Sequence, residues 1–329
     1  MLAKRGGVAL SLIEINHSPV ADVLDILLQD HSTGNTIIWA TDMYASEGEG
    51  FRDKDHLKPK MFTGAKALII RPRIEKSIEE QQERTKKKAE VFTPSWLCNE
   101  MNNYCDEEWF GRKDVFNVLH DDHTWTIVED KIEMPEGKTW QDYVYSRRLE
   151  ITCGEAPYLV SRYDTSTGAL IEPPKNRIGL LDRKLRIVNE NTTDEKEWVK
   201  WAKKAYQSTY GYEYQGDNLL IARANLYLTF FDYYTERFGK QPAYKLGKEI
   251  AEIISWNIWQ MDGLTDTVPL GKPFVENEEL NGMDILFGDA TIDDLGVGSD
   301  DEPVLSLIRD WRKKKTEDQI ISFRSCKEG

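Results

Sequence analysis

The stretch STYGYEYQGDNLLIARANLYLTFFDYYTERF, residues 208–238, decides the fold of this 329-residue chain. Its first seven residues form a short run rich in aromatic side chains, which predicts a β-strand. Apolar residues then repeat at helical spacing, at Leu219, Ala222, Leu226 and Phe230. This spacing predicts a long amphipathic helix whose apolar stripe belongs to the core. A strand that leads directly into a long helix is typical of α/β proteins.

The same alternation extends to both sides of this stretch. Residues 147–153, RRLEITC, have the pattern of a strand that ends in a turn, and residues 248–264 predict a helix, a short strand and a turn. Residues 77–90, SIEEQQERTKKKAE, predict a charged, exposed helix. Segments that alternate in this way over residues 90–265 predict a doubly wound α/β fold with a mostly parallel sheet.

The two ends of the chain differ from this central part. In residues 1–76, a helix over 19–29 and strands over 35–41 and 65–72 predict a small N-terminal α/β extension. The central domain then covers residues 77–270. Residues 271–329 form an acidic C-terminal segment, in which residues 305–325 predict a helical piece followed by a short strand.

Composition narrows the class of protein. Hydrophobic residues make up 40% of the chain and charged residues 30%, as expected for a soluble globular protein. No apolar run approaches the ~20 residues that a membrane span needs. The four cysteines form no CxxC pair and have no histidine at metal-ligand spacing, so we expect reduced thiols, no metal site and a cytoplasmic location.

The net charge of −14 opposes nonspecific attraction to nucleic acid, which depends on Lys and Arg neutralising phosphates. Any contact with DNA therefore needs a local basic patch or a partner subunit. The run RTKKK at residues 84–88 is one such patch. It fits either an ordinary solvated helix face or a phosphate contact.

Three predicted strands end in polar residues at which a ligand can bind. Glu150 ends the first strand and is followed by Cys153 and Gly154, Glu213 ends the second, and Asp262 follows the third. In doubly wound sheets, ligands lie outside the carboxyl ends of the strands, and a carboxylate on the second strand can accept hydrogen bonds from both ribose hydroxyls. Each of these residues alone is equally compatible with an ordinary strand–helix turn.

Taken together with the segment FTP at residues 92–94, these motifs resemble one family. The order is FTP before a helix, E-x-x-C-G at a first strand, G-Y-E before the helix with A-R-A-N-L, and M-D-G-L at a third strand. This order resembles the N6-adenine DNA methyltransferases of restriction–modification systems, in particular proteins described as restriction endonuclease M subunits. The resemblance covers residues 77–266. It implies a Rossmann-like methyltransferase sheet, S-adenosyl-L-methionine as cofactor, and a role in DNA methylation.

The resemblance also implies a cofactor site. The segment that ends at Pro94 would close over S-adenosylmethionine, with Ser95 available as helix cap. Glu150 would belong to the first-strand loop, Glu213 would hold the ribose, and Asp262 would accept from the adenine amino group. The complete set of implied cofactor-binding residues is Phe92, Thr93, Pro94, Glu150, Cys153, Gly154, Glu213, Tyr214 and Asp262.

The chain departs from the family pattern in two places. The first loop of the family reads D-P-x-C-G-x-G-x-F-L, whereas here Ala156 replaces the second glycine and Glu155 adds a negative charge, which predicts a narrower pocket. The family's Asp/Asn-Pro-Pro-aromatic motif does not follow Asp262. The only Pro-Pro lies in Glu172–Lys175, and residues 319–325 are a candidate for the strand that would lead into the missing motif.

Three hypotheses follow from these departures. In the first, the chain binds S-adenosylmethionine but needs a partner subunit, such as a complementary methyltransferase or restriction subunit, for catalysis and DNA recognition. In the second, it is a complete adenine methyltransferase in which Asp284, Asp289 or residues 172–175 serve as the acceptor loop. In the third, it is a noncatalytic interaction protein whose acidic residues 276–302 meet a basic partner or mimic DNA, although such a segment is more often a solvated acidic loop.

Overall fold

A three-stranded parallel sheet lies at the centre of the computed structural model, which describes residues 4–5, 8–9, 11–64, 67–88, 93–272 and 303–327 (backbone only for 4–5, 8–9 and 87–88). The strands are β1 Lys4–Arg5, β2 Val8–Ala9, β3 Asn117–Leu119, β4 Trp125–Ile127, β5 Arg148–Glu150, β6 Thr209–Glu213, β7 Ile258–Gln260, β8 Leu307–Arg309 and β9 Ile320–Ser322. The helices are α1 Leu24–Leu27, α2 Ile78–Lys88, α3 Ser95–Phe110, α4 Trp140–Tyr145, α5 Leu180–Asn191, α6 Glu195–Gln207, α7 Gly216–Phe238, α8 Tyr244–Asn257 and α9 Thr316–Gln319.

The sheet has the order β5-β6-β7, and both pairs are parallel. In the register, Glu150 lies opposite Gly211, and Glu213 lies opposite Gln260. All five residues of β6 are buried, as expected for the central strand of a parallel sheet. The prediction of a mixed α/β chain with a parallel sheet is therefore confirmed at this level, and the sheet is small.

Helices make both crossovers between neighbouring strands. The chain passes from β5 to β6 through α5 and α6, and from β6 to β7 through α7 and α8. The apolar stripe predicted on α7 is buried in the main core at all four positions, Leu219, Ala222, Leu226 and Phe230. The helix needs this packing, because most helical stability in proteins comes from burial of an apolar face.

A C-terminal hairpin packs against residues of the sheet that the helices leave uncovered. Strands β8 and β9 pair antiparallel, and their Ile308 and Phe323 form a second apolar cluster with Tyr210, Tyr212, Trp259 and Met261. The helical piece and short strand predicted within residues 305–325 are present as α9 and β9, but Leu307–Arg309 before them is a strand that was not predicted. The candidate strand at 319–325 forms β9, which pairs with β8 and does not extend the parallel sheet.

The N-terminal segment lies on the sheet without the predicted strands. Residues 35–41 make only isolated bridges, Gln29 with Thr36 and Ile38 with His56, and the described residues 67–72 form no strand. The reason lies in the backbone bonding: Ile37 donates to Leu28, and Trp39 donates to Asp55. These buried N–H groups are thus satisfied by isolated bridges, without a continuous ladder.

The same segment shares the main core with the central domain. Trp39, Leu57 and Phe62 are fully buried in one apolar cluster with residues of α5 to α8. The side chain of Gln260 accepts from Ile38 N at 2.9 Å and donates to Ile38 O at 2.8 Å. The proposed division at residue 76 stays a prediction, and apolar packing is continuous across it.

A small hairpin lies next to helix α3. Strands β3 and β4 form an antiparallel hairpin, and α3 contacts β3.

In the part of the chain that the structure describes, no helix is long and apolar enough to cross a membrane. The acidic residues 276–302 lie outside the described residues.

Candidate cofactor site

A cavity of about 830 Å³ opens at the carboxyl ends of β5 and β6. This is the edge of a parallel sheet at which α/β proteins bind ligands, and the volume lies within the range of small-molecule sites. Six of the predicted cofactor residues line it, namely Thr93, Glu150, Cys153, Gly154, Glu213 and Tyr214. The structure therefore brings together residues that are 120 positions apart along the chain.

The loop after β5 has an unusual backbone that turns it into the cavity. Thr152, Gly154 and Ala156 have φ angles of 46°, 54° and 64°. This left-handed region favours glycine because a Cβ is crowded there. Ala156 is fully buried and holds that conformation at the position where the family pattern has its second glycine. The loop thus keeps the glycine-like turn with a methyl group in place of a hydrogen.

Glu150 supports this loop from beneath. Its carboxylate accepts from Tyr158 N at 3.3 Å and from Leu159 N at 3.2 Å, and the residue is buried. Burial raises the pKa of Glu150 well above its ordinary value, and the nearby Glu213 carboxylate adds to the shift, while the two backbone N–H groups oppose it. Glu150 therefore favours the protonated form more than an exposed glutamate does.

Glu213 connects the first two strand ends. One carboxylate oxygen accepts from Gly154 N at 2.8 Å, and the other accepts from Gln215 N at 3.1 Å. These bonds fix the carboxylate at the cavity wall. A carboxylate offers about four acceptor positions.

Glu155 lines the cavity and also connects two segments of the chain. Its carboxylate accepts from Arg73 N at 2.5 Å and from Tyr163 OH at 2.8 Å, and the residue is buried. The added negative charge thus ties the segment before α2 to the β5 loop. Because it accepts from both of these donors, the Glu155 carboxylate mainly connects two segments of the chain.

The FTP segment reaches the cavity, although Phe92 lies outside the described residues. Thr93 lines the wall, and its carbonyl oxygen accepts from Thr165 Oγ1 at 3.0 Å. Pro94 occupies the N-cap position of α3 with an extended ψ of 146°. The prediction that Ser95 caps this helix is wrong: its hydroxyl is buried against Thr165 and accepts from Thr165 N at 3.0 Å.

Asp262 lies beside the cavity and does not line it. It follows β7, which is adjacent to β6, and its carboxylate accepts from Leu264 N at 2.9 Å in a local turn. Burial and then the Asp262 charge raise the pKa of the Tyr214 hydroxyl, which lies at the cavity. Among the predicted cofactor residues that the structure describes, Pro94 and Asp262 do not line the cavity.

Several cavity residues were not predicted from the sequence. They are Arg73, Met101, Asn102, Cys105, Thr165, Gln215 and Asn218, among others. Most lie on a helix or in a turn that the fold brings to the strand ends, and local sequence carries no signal for such proximity. Gln215 and Asn218 are the exception, because they follow Glu213 directly and a strand–helix turn predicts their position.

The helix α2 is fixed over this region by a buried ion pair. Arg84 Nη1 lies 2.8 Å from Asp217 Oδ2, and Arg84 also donates to Asn218 at 3.2 Å. Both side chains are buried. The interpretation of RTKKK as a wholly solvated or phosphate-binding face is therefore wrong for Arg84, which binds the first turn of α7.

The other candidates for an acceptor loop do not reach the cavity or are not described. Residues 172–175 pack beside α7, where Tyr233 OH donates to Pro174 O at 2.9 Å. They are absent from the cavity wall. Asp284 and Asp289 lie outside the described residues.

All four cysteines are free thiols, and Cys105 and Cys153 are at the cavity.

No family model, curated protein or solved structure matches this chain.

Proposed function

We propose that this chain is an S-adenosylmethionine-binding, adenine-N6 DNA methyltransferase-like subunit that acts with a partner. The observation that carries the proposal is the cavity at the carboxyl ends of β5 and β6, which gathers six residues of the family's cofactor motifs. The parallel order β5-β6-β7 with helical crossovers would suit one half of a Rossmann-like sheet and supports the proposal.

The residues around the cavity have roles that suit an adenosine-bearing cofactor. The fixed carboxylate of Glu213 would accept from the ribose hydroxyls, and the Tyr214 ring would pack on the adenine. The β5 loop with Cys153 and Gly154 would lie along the ribose and the methionine portion. Thr93 and Pro94 would limit the cavity on the side of α3. Asp262 would accept from the adenine amino group only after a local movement, because it does not line the cavity.

The chain's own residues supply binding and orientation, and S-adenosylmethionine would supply the activated methyl group. Attack by an adenine amine needs hydrogen-bond acceptors on that amine and a place for the flipped base. The family's Asp/Asn-Pro-Pro-aromatic motif provides these groups and is not found in the sequence after Asp262. We therefore assign the acceptor groups and DNA recognition to a partner subunit within a restriction–modification system.

Isothermal titration of the full chain with S-adenosylmethionine tests the cofactor assignment. The matched variants are Tyr214→Ala, which removes a ring from the cavity wall, and Tyr244→Ala, whose ring is 60% exposed on α8. We expect binding by the unchanged chain, about tenfold weaker binding by Tyr214→Ala, which corresponds to about 1.4 kcal/mol, and no change for Tyr244→Ala.

A flat titration with a folded chain would remove the cofactor from the proposal. Methyl transfer to DNA by the chain alone, at a catalytic rate, would instead favour a complete methyltransferase over a subunit. Folding is checked in each case by a cooperative thermal transition.

A further inference from the structure

A basic surface lies at the amino ends of β5 and β6, at the opposite end of the sheet from the candidate cofactor cavity. Arg147 directly precedes β5, and Ser208 directly precedes β6. Cationic and aromatic side chains from several separate segments meet there. A depression at this end of the sheet is lined by three cations and three rings, namely Arg147, Lys204, Arg312, Tyr145, Tyr210 and Trp311.

Three cations of this surface have no carboxylate that neutralises them. Arg147 precedes β5, and Lys200 and Lys204 lie one turn apart on α6. Among the residues that the structure describes, none of these three side chains forms an ion pair. Arg147 and Lys200 are also exposed. Cations that lie together without counter-charges produce a positive potential, which attracts anions.

The turn after β8 continues this basic surface. Arg312 lines the depression and pairs with Asp310, with Nη2 2.7 Å from Oδ2. The next three residues, 313–315, are all exposed lysines. Glu317 and Asp318 follow in the first turn of α9. The turn therefore carries more cations than carboxylates, and it adds to the positive charge of this surface.

Aromatic rings lie between these cations. The ring of Trp201 meets the rings of Trp140 and Tyr145 edge to face, with centroids 4.7 Å and 5.7 Å apart. Lys204 Nζ lies 5.4 Å from the centroid of the Tyr145 ring, and Lys200 Nζ lies 5.6 Å from that of Trp201. Tyr145 is 40% exposed, and both tryptophans are half-buried. Sites for single-stranded nucleic acid combine the same two features, a cationic surface and accessible aromatic rings.

We propose that this basic, aromatic surface binds single-stranded nucleic acid. Its lysines and arginines would neutralise phosphates, and its partly exposed rings would stack on unpaired bases. A duplex encloses the faces of its bases, and an acidic polypeptide needs only the cations, so the rings favour a single strand. Because the whole chain has a net charge of −14, a nucleic-acid contact needs a local basic patch of this kind. The contact goes beyond the proposed function, since it lies at the other end of the sheet and needs no cofactor.

Fluorescence anisotropy of the full chain with a labelled oligothymidylate of about 12 nucleotides tests this inference. An abasic oligonucleotide of the same length separates phosphate contacts from stacking. The variants are Lys200→Glu, at an exposed position, and Tyr145→Ala. Their matched controls are Lys248→Glu and Tyr244→Ala, because Lys248 Nζ lies 5.6 Å from the exposed Tyr244 ring in a similar pair on α8.

We expect the unchanged chain to bind the oligothymidylate with a salt dependence whose slope is about −0.7 per phosphate contacted. Lys200→Glu should weaken binding about tenfold and make that slope shallower. Tyr145→Ala should weaken binding of the oligothymidylate about tenfold and leave binding of the abasic strand unchanged, because only the former can stack. Both control variants should bind as the unchanged chain does.

Three results would overturn the inference. They are the absence of salt-dependent binding, equal losses in the variants and their controls, and tighter binding of a polyglutamate peptide or of phosphatidylserine vesicles than of the oligonucleotide. An oligouridylate measured in parallel identifies the strand: binding of either oligonucleotide supports the inference, and tighter binding of one assigns the surface to DNA or to RNA. The titration with S-adenosylmethionine is a separate measurement, so this inference and the proposed function fail separately.

Discussion

His31 shows how a single half-buried side chain links stability to pH. Its ring stacks on Trp256 with centroids 3.7 Å apart, and Nε2 lies 2.9 Å from Ser255 Oγ. Burial lowers the pKa of His31 to about 3, with further contributions from the charges of Arg223 and Arg309. The folded chain therefore keeps this ring neutral over a pH range in which the unfolded chain protonates it.

We predict that this histidine destabilises the fold as pH falls from 6.5 toward 3. In that window the unfolded chain binds the proton and the folded chain does not, so the free energy of unfolding rises with pH. Between pH 7 and pH 4.5 the contribution of His31 should fall by about 2–3 kcal/mol. Urea unfolding at both pH values should show that His31→Gln loses less stability on acidification than the unchanged chain does. Equal losses would contradict this account.

At the residue scale, the sequence predicts which kind of side chain lies at the cavity. It predicts the hydrogen-bond partner of that side chain less well. Glu213 was identified because a carboxylate at the end of a second strand has a specific use, and the structure does place it at the cavity. Ser95 was predicted as a helix cap from its local position, but its hydroxyl instead accepts from the backbone N–H of Thr165. Glu155 lines the cavity, but its hydrogen bonds from Arg73 and Tyr163 could not be predicted from the sequence. Hydrogen-bond partners that are distant along the chain leave no local pattern in the sequence.

At the scale of elements, helix α2 depends on one buried charge pair. Burial alone would raise the pKa of Asp217, but the charges of Arg84 and Lys76 hold that pKa below its ordinary value. Tyr44 OH also donates to Asp217 at 3.0 Å. The first turn of α7 thus holds α2 and part of the N-terminal segment at a single carboxylate.

We predict that Asp217→Asn destabilises the chain by about 3–5 kcal/mol, because Arg84 is left buried without its counter-charge. Hydrogen exchange should become faster in residues 78–88. The double variant Arg84→Met, Asp217→Leu serves as the control, since replacing both charges by apolar side chains is often close to neutral. If the single variant is as stable as the double variant, α2 is held by other contacts.

Long segments with strong periodicity were predicted correctly as helices or strands. Short apolar runs, in contrast, did not show whether they would form a strand, a helix or a loop. Helices α2, α7 and α8 and strands β5, β6 and β7 formed as the pattern indicates. The runs at 35–41 and 67–72 have strand-like composition but lack a neighbouring strand with which to pair. Leu307–Arg309 became a strand because β9 lies beside it, although its composition suits a helix equally well.

At the scale of the whole molecule, Gly216 marks the closest approach of the N-terminal segment to the sheet. Its N–H donates to Trp39 O at 2.9 Å, and a Cβ at this position would lie 2.0 Å from Ile38 O. Only glycine allows this approach, because the opposing atom belongs to the backbone and cannot rotate away. The contact joins residues 38–39 to the start of α7, next to the cavity.

We predict that Gly216→Ala destabilises the chain by about 1–3 kcal/mol, as overpacking in a well-packed region usually does. Amide exchange at residues 37–39 should increase together with exchange in α7, because both sides of the contact must move. Thermal unfolding and hydrogen exchange measure these effects. A change below about 0.5 kcal/mol would mean that the N-terminal segment is not fixed to the sheet at this point.

The central claim is that the cavity at the ends of β5 and β6 holds an adenosine-bearing methyl donor. The most direct measurement is a crystal structure of the full chain grown with S-adenosylhomocysteine. We expect electron density for the ribose within hydrogen-bonding distance of the Glu213 carboxylate and for the adenine beside Tyr214. Density for the ligand elsewhere on the chain, or an empty cavity at saturating ligand, would contradict the account.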